Sequence, residues 1–328
     1  MDIERSFRFR STEDVVNMTL QNYYEFAYNP SSNPIIKSFL PKRELLFTIE
    51  KRSFVKGKHP IINAFSIYKT DKDVIIITEK LAEMIENLIL NSESNNDRAS
   101  CMIDTANLFC AFHELGHLLL GHCQIQKNAR LCAIEKSHEN IGVDIALYQM
   151  LEADADTFAA KRIGEKMVTI ISDGRYKTVL GYNSIDDFYE DTLRGIVAFF
   201  YILMYLEVLE SREAFMLAPD NEIPKGFRPN EATHIHPPAI ARCYYSGKTL
   251  IEHLNCFFHI PPKEDYFLET LFSSDLIFGG IELTQEQIQR KYQYLIDGTF
   301  DKNFEALKEE WFLNTRNILA PYSRIAVI

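Results

Sequence analysis

Between Cys110 and Leu120 the chain is almost wholly apolar, yet His113, Glu114 and His117 lie inside that run. No other feature constrains the fold as strongly. Residues i and i+4 of a helix share one face, a turn apart, so His113 and His117 can aim two imidazole nitrogens at one point. Glu114 sits about 100° round the axis from His113. That is too far round to join the same ligand set, but near enough to reach a water held beside it. Burying two histidines and a glutamate without partners is costly, and a metal ion suits all three. The H-E-x-x-H spacing is that of a zinc site with the glutamate as general base. Three fixed identities in five residues also arise by chance, so the pentapeptide needs support from elsewhere in the chain.

A third ligand is available in Glu152-Ala-Asp-Ala-Asp156, which begins 35 residues beyond His117. The pattern there is helical from about Gly142 to Ile163 and stops near Gly164. Glu152 and Asp156 then share a face, so Glu152 completes a His₂Glu set and Asp156 can accept the distal N–H of a ligand histidine, fixing its tautomer. Two like charges at that spacing disfavour a helix unless a cation is near. Ala153, Ala155, Ala159 and Ala160 permit a close helix crossing. The competing reading is a solvated acidic face, against which Leu151, Phe158 and the alanines argue.

Further on, Thr233-His234-Ile235-His236-Pro237-Pro238 leads to Arg242. A developing oxyanion needs a donor or cation, and His236 and Arg242 are candidates. The alternative is a His-Pro turn that merely opens a helix, with a proline in its first turn. Projected on a continuing helix, His122 turns away from the metal face. Like His59, His138, His253 and His259, it reads as a surface or satisfied core histidine.

The rest of the chain reads as mostly helical α+β. Ser11-Thr-Glu-Asp14 is a capping box for a helix to about Tyr24, and Asn29 to Pro34 is a break. Ile61 to Tyr68 and Val74 to Thr78 predict a β-hairpin. A helix from about Glu79 to Leu90 is followed by a polar loop over Asn91 to Asp97. The motif helix runs from about Asp104 to His122, with Gly121 at its C-terminal end. Ser184 caps a long apolar helix ending near Glu210, and a Pro/Gly-containing loop spans Ala218 to Asn230. Thr284-Gln-Glu-Gln287 signals another cap in a helical tail. The expected division is an N-terminal α/β region with the hairpin (1–100), a zinc-binding helical catalytic core (101–245) and a helical C-terminal region (246–328).

A net charge of −11 gives no general reason to hold a phosphate backbone, so nucleic acid is excluded as the expected partner. Six cysteines with no C-x-x-C pair do not read as a disulfide framework, and the first ten residues hold no apolar run; both features point to a reduced, cytoplasmic protein. Gly195 to Leu206 is free of charge but rises only about 18 Å as a helix, against roughly 30 Å of hydrocarbon. It is expected to be a buried core helix, not a membrane span.

The order of the three motifs is similar to that of the HtpX and CAAX-prenyl-endopeptidase group of gluzincins. More closely still, it resembles the Lit-type phage-exclusion peptidases. The residues that carry the likeness are His113-Glu-Leu-Gly-His117 continuing to His122, Glu152-Ala-Asp-Ala-Asp156, and His236-Pro237 through Arg242. The Thr-His-Pro usual in these families is displaced here, since Ile235 precedes His236 and Thr233-His234 stands two residues earlier; either histidine can be the one that faces the metal. The resemblance spans about Phe109 to Tyr245. It implies a zincin-like fold, with a small sheet before the active-site helix and one zinc ion per chain on His113, His117 and Glu152. Glu114 would be the general base. It also implies a protein substrate, a host translation factor such as elongation factor Tu, and an activating phage or regulatory factor. Two other readings compete with it. One is a regulatory protease like the ImmA type, acting on a repressor; the other is a non-catalytic zinc-containing interaction module.

Overall fold

A computed structural model describes residues 11–27, 43–50, 55–56, 59–60, 63–69, 71–125, 145–216, 238–258, 264–280 and 284–324. The Asn29–Pro34 break, the Ala218–Asn230 loop, and His234, His236 and Pro237 lie outside the described residues. So do the first residues of the expected strand at Ile61 and of the expected helix at Gly142.

Helix α1 (Thr12–Ala27) opens on the capping box. The Asp14 backbone N–H donates to Ser11 Oγ at 3.2 Å, and the Ser11 N–H donates to Asp14 Oδ2 at 3.3 Å. Its buried Val16, Leu20 and Tyr24 recur every four residues, the stripe of a helix with one face on a core. Strands β1 (Glu44–Glu50), β4 (Ala64–Tyr68) and β5 (Lys72–Thr78) form one sheet in the order β1-β5-β4. Short β2 (Val55–Lys56) and β3 (His59–Pro60) pair apart from it. The hairpin β4–β5 is antiparallel, as its sequence predicts. Unpredicted is β1, which runs parallel to β5 with Leu46 opposite Val74. Sandwiched between two strands, β5 buries nearly every residue from Asp73 to Thr78, which explains why its sequence is a continuous apolar run.

Helix α2 (Glu79–Ser92) leads into α3 (Asn96–Leu119), the motif helix. The polar loop expected over 91–97 is narrower than its composition suggests. Asn95 Oδ1 accepts from the Asp97 and Arg98 N–H groups at 3.0 and 3.3 Å, so α3 starts there. Asn, Ser and Asp serve N-caps as readily as turns. From Thr105 to Leu120 every residue of α3 and its end is buried. A helix covered all round is a core helix, and α3 is enclosed by α1, α2, β4, β5 and two later helices, α4 (Ile145–Ser172) and α6 (Ile185–Met216), both of which α7 (Ala239–Phe258) packs against. The short α5 (Arg175–Thr178) joins α4 to α6.

α4 runs through Gly164 instead of stopping there. A Cβ on Gly164 would lie 2.9 Å from His253 Cδ2 and 3.1 Å from Leu250 Cδ1, so this glycine serves the close approach of α7. The uncharged stretch of α6 is core, with Leu193, Ile196, Val197 and Phe200 fully buried, and its last turn extends beyond the expected end at Glu210. No helix among the described residues is long and apolar enough to cross a membrane.

One hydrophobic core extends from Val16 to Phe304, across all three sequence regions. The tail is helical in short pieces, and Thr284 and Gln287 form the predicted capping box. The chain then returns to the motif helix: the Arg324 N–H donates to Leu119 O at 2.8 Å. The Arg324 guanidinium binds the fully buried Asp73, whose carboxylate also accepts from Tyr24 Oη at 2.7 Å and Arg43 Nε at 3.2 Å.

Candidate metal centre

The crossing of α3 and α4 makes the site, and small residues permit the crossing. A Cβ on Gly116 would lie 3.2 Å from Phe158 Cδ1 and 3.3 Å from Ala155 Cα. That closeness sets the carboxylates of α4 against the histidines of α3. Substituting valine at Gly116 forces the helices apart, so Gly116→Val is expected to destabilise the protein by about 1–3 kcal/mol and to weaken metal binding at the same time. Unchanged metal affinity in a titration of this variant would count against the crossing as the element that sets ligand spacing.

His113 Nε2 and His117 Nε2 are 3.0 Å apart, and Glu152 oxygens lie 3.4 and 3.5 Å from them. A tetrahedral zinc with bonds of about 2.0–2.2 Å spaces its ligand atoms about 3.3–3.5 Å apart. Both histidine–glutamate distances fall in that range and the histidine pair is somewhat tighter, so a small shift of the rings would let the three donors hold an ion such as zinc. They form a buried group able to hold a metal. Compared with family models, curated proteins and solved structures, the chain matches none.

Behind the ligands stands a buried ionic layer. Asp156 Oδ1 is 2.8 Å from His113 Nδ1, off the ideal donor direction, and its carboxylate takes a two-pronged contact from Arg242, with Nε at 2.7 Å and Nη2 at 3.0 Å. Arg242 Nη2 also lies 3.4 Å from Glu152 Oε2. Arg242 thus supplies the cation that two like charges on one helical face require. The sequence places it as an oxyanion donor; in the fold, Nε and Nη2 are engaged with the carboxylates behind the ligands. His236, its expected companion, lies outside the described residues.

Glu114 is 9% exposed, and burial raises its pKa against the opposing pull of His113. A raised carboxyl pKa suits a general base working near neutral pH. Burial opposes a charged His113, yet Asp156 and Glu152 outweigh it and push its pKa up to about 10. His117 is held neutral, chiefly by burial. The metal-free pair therefore holds one proton in the space a metal would take. Folded His113 lies above its ordinary value of 6.5, so this contribution to metal-free stability is complete below pH 6.5 and lost as pH rises through about 10. Zinc must displace that proton, so its affinity is expected to rise over the same window. Calorimetry in buffers of different ionisation enthalpy should show about one proton released per zinc at pH 8; no release would contradict the charged His113.

Two participants escape the sequence reading. α3 ends at Leu119, and Gly121 turns at φ +87, so projection along a continuing helix misplaces His122. Its ring is fully buried, with Nδ1 2.9 Å from His117 Nδ1 and Nε2 3.1 Å from Asp154 Oδ2. The sequence carries two signals for it, the glycine just before the histidine and the motif likeness that continues to His122. Asp154 offered none, since it lies about 200° round α4 from Glu152.

Proposed function

We propose that this chain is a zinc-dependent metalloendopeptidase of gluzincin type, with a zincin-like fold, that hydrolyses a peptide bond in a protein substrate. The carrying observation is the spacing of the His113, His117 and Glu152 donor atoms at 3.0–3.5 Å, with Glu114 next in chain to a ligand. Zinc bound there would polarise the scissile carbonyl and make water acidic. Glu114 accepts the proton of the attacking water on its carboxylate and returns it to the leaving amine. Asp156 and Arg242 fix the ring of His113. His236 is the proposed donor to the oxyanion.

The motif likeness to Lit-type peptidases carries the proposal further, to a cytoplasmic defence effector. Its substrate would be a host translation factor such as elongation factor Tu, cut once a phage or regulatory factor activates the enzyme. The test has two parts. Purified protein should hold about one zinc per chain, and cells expressing it should accumulate protein fragments absent with His117→Ala. Zinc-free wild-type protein, or identical fragments in both cells, would sink the reading.

One observation favours a second reading, a metal kept for structure in an interaction module. His113, His117 and Glu152 are each only 6% exposed, closer to a closed site than to an open cleft. A structural site has no use for Glu114, so the two readings part on that residue.

A further inference from the structure

Beyond the three ligands, the geometry points to a second positioning relay: His122 and Asp154 orient His117 for the metal, as Asp156 and Arg242 orient His113. This inference rests on the reading of His113, His117 and Glu152 as metal ligands. Its starting point is a count of protons. A histidine that binds metal through Nε2 carries its hydrogen on Nδ1. His117 Nδ1 faces His122 Nδ1 at 2.9 Å, so His122 must accept there, and its own hydrogen must sit on Nε2. That nitrogen faces Asp154 Oδ2 at 3.1 Å, and a carboxylate is an acceptor. Every hydrogen in the chain from His117 to Asp154 is thereby assigned without a clash, and the tautomer it imposes on His117 is the one that leaves Nε2 free to bind. The negative charge at the far end makes His117 a stronger ligand, the effect ascribed to carboxylates behind zinc-bound histidines.

The fold holds this relay from the far end of the chain. His122 reaches His117 only because Gly121 turns at φ +87, and a Cβ there would fall 2.7 Å from the Tyr322 carbonyl carbon. Next to Tyr322, the Arg324 N–H and the Ser323 hydroxyl both donate to Leu119 O, at 2.8 and 3.3 Å, closing the end of α3. Leu319 packs with Ile125 and with Leu151, the residue before Glu152. The last described turn of the chain is thus built against the turn that positions His122.

The test is zinc affinity, measured by competition with a chelator, together with the visible spectrum of the cobalt-substituted protein. Asp154→Asn keeps shape and an acceptor but loses the charge, and should weaken zinc about tenfold; His122→Phe, which breaks the chain, should weaken it by about 10–100-fold. His122→Gln can accept from His117 and donate to Asp154, so it should restore affinity to within a few-fold of wild type. The cobalt bands should shift in Asp154→Asn and His122→Phe but not in His122→Gln. If His122→Phe fails to fold, the near-isosteric Asp154→Asn carries the comparison. A merely structural role would lower the Tm of the metal-free protein and leave affinity and spectrum alone, which overturns the inference. Wild-type zinc affinity in both disrupting variants also overturns it. Failure of wild-type protein to bind zinc at all overturns the metal reading beneath it, and the two failures are distinct.

Discussion

Arg242→Leu is expected to destabilise the metal-free protein by about 3–5 kcal/mol, a fall in Tm of roughly 5–15 °C. The reason is the company it keeps. Asp156 is 1% exposed and Glu152 6%, and Arg242 meets the first through two hydrogen bonds and the second at 3.4 Å. The two flanking charges hold the Asp156 carboxyl below its ordinary pKa although burial pushes the other way. Leucine would fill some of the volume and leave two buried carboxylates without the guanidinium they share. Lysine at this position delivers a charge without the planar fork that spans both Asp156 oxygens, so Arg242→Lys should recover only part of the loss. The double variant Arg242→Leu with Asp156→Leu separates charge pairing from packing, because the Asp156 carboxylate is then no longer left behind without its guanidinium. It should be less damaged than the sum of the single variants by about 2–3 kcal/mol. Strict additivity in thermal unfolding would mean that the pair is not coupled.

This layer also shows what the sequence could disclose. Spacing alone places His113, Glu114 and His117 on one helix and pairs Glu152 with Asp156, because a helical period is a local property. The capping boxes at Ser11 and Thr284 are legible for the same reason. Which cation answers Glu152 and Asp156 is a tertiary fact, settled by α7 packing beside α4, and the pattern of α4 could only require that one exist. The parallel strand β1 was missed because its partner lies 28 residues away, at Lys72 opposite Glu44, with no turn to announce the pairing. Gly164 misled for a related reason: glycine marks helix ends and close helix crossings alike, and only the position of Leu250 and His253 decides between them. His122 was lost to one local event, a glycine with positive φ that ends the helical projection two residues after Leu119.

On the proposed peptidase reading, Glu114→Gln is expected to lower kcat by about 10²–10⁴-fold while zinc binding and the fold are retained. The substitution retains volume and a carbonyl oxygen but removes the carboxylate proposed to take a proton from water and carry it to the leaving amine. Its effect on stability should be neutral or favourable. A carboxyl whose pKa burial has raised is strained by its own charge, and a neutral amide of the same shape relieves that strain. A variant as stable as wild type, loaded with zinc and inert, is the pattern of a site that trades stability for chemistry. Zinc content, thermal unfolding and cleavage measured on one preparation decide the matter. Cleavage within tenfold of wild type would remove Glu114 from the mechanism and leave the closed, structural metal site as the better reading of the same three ligands.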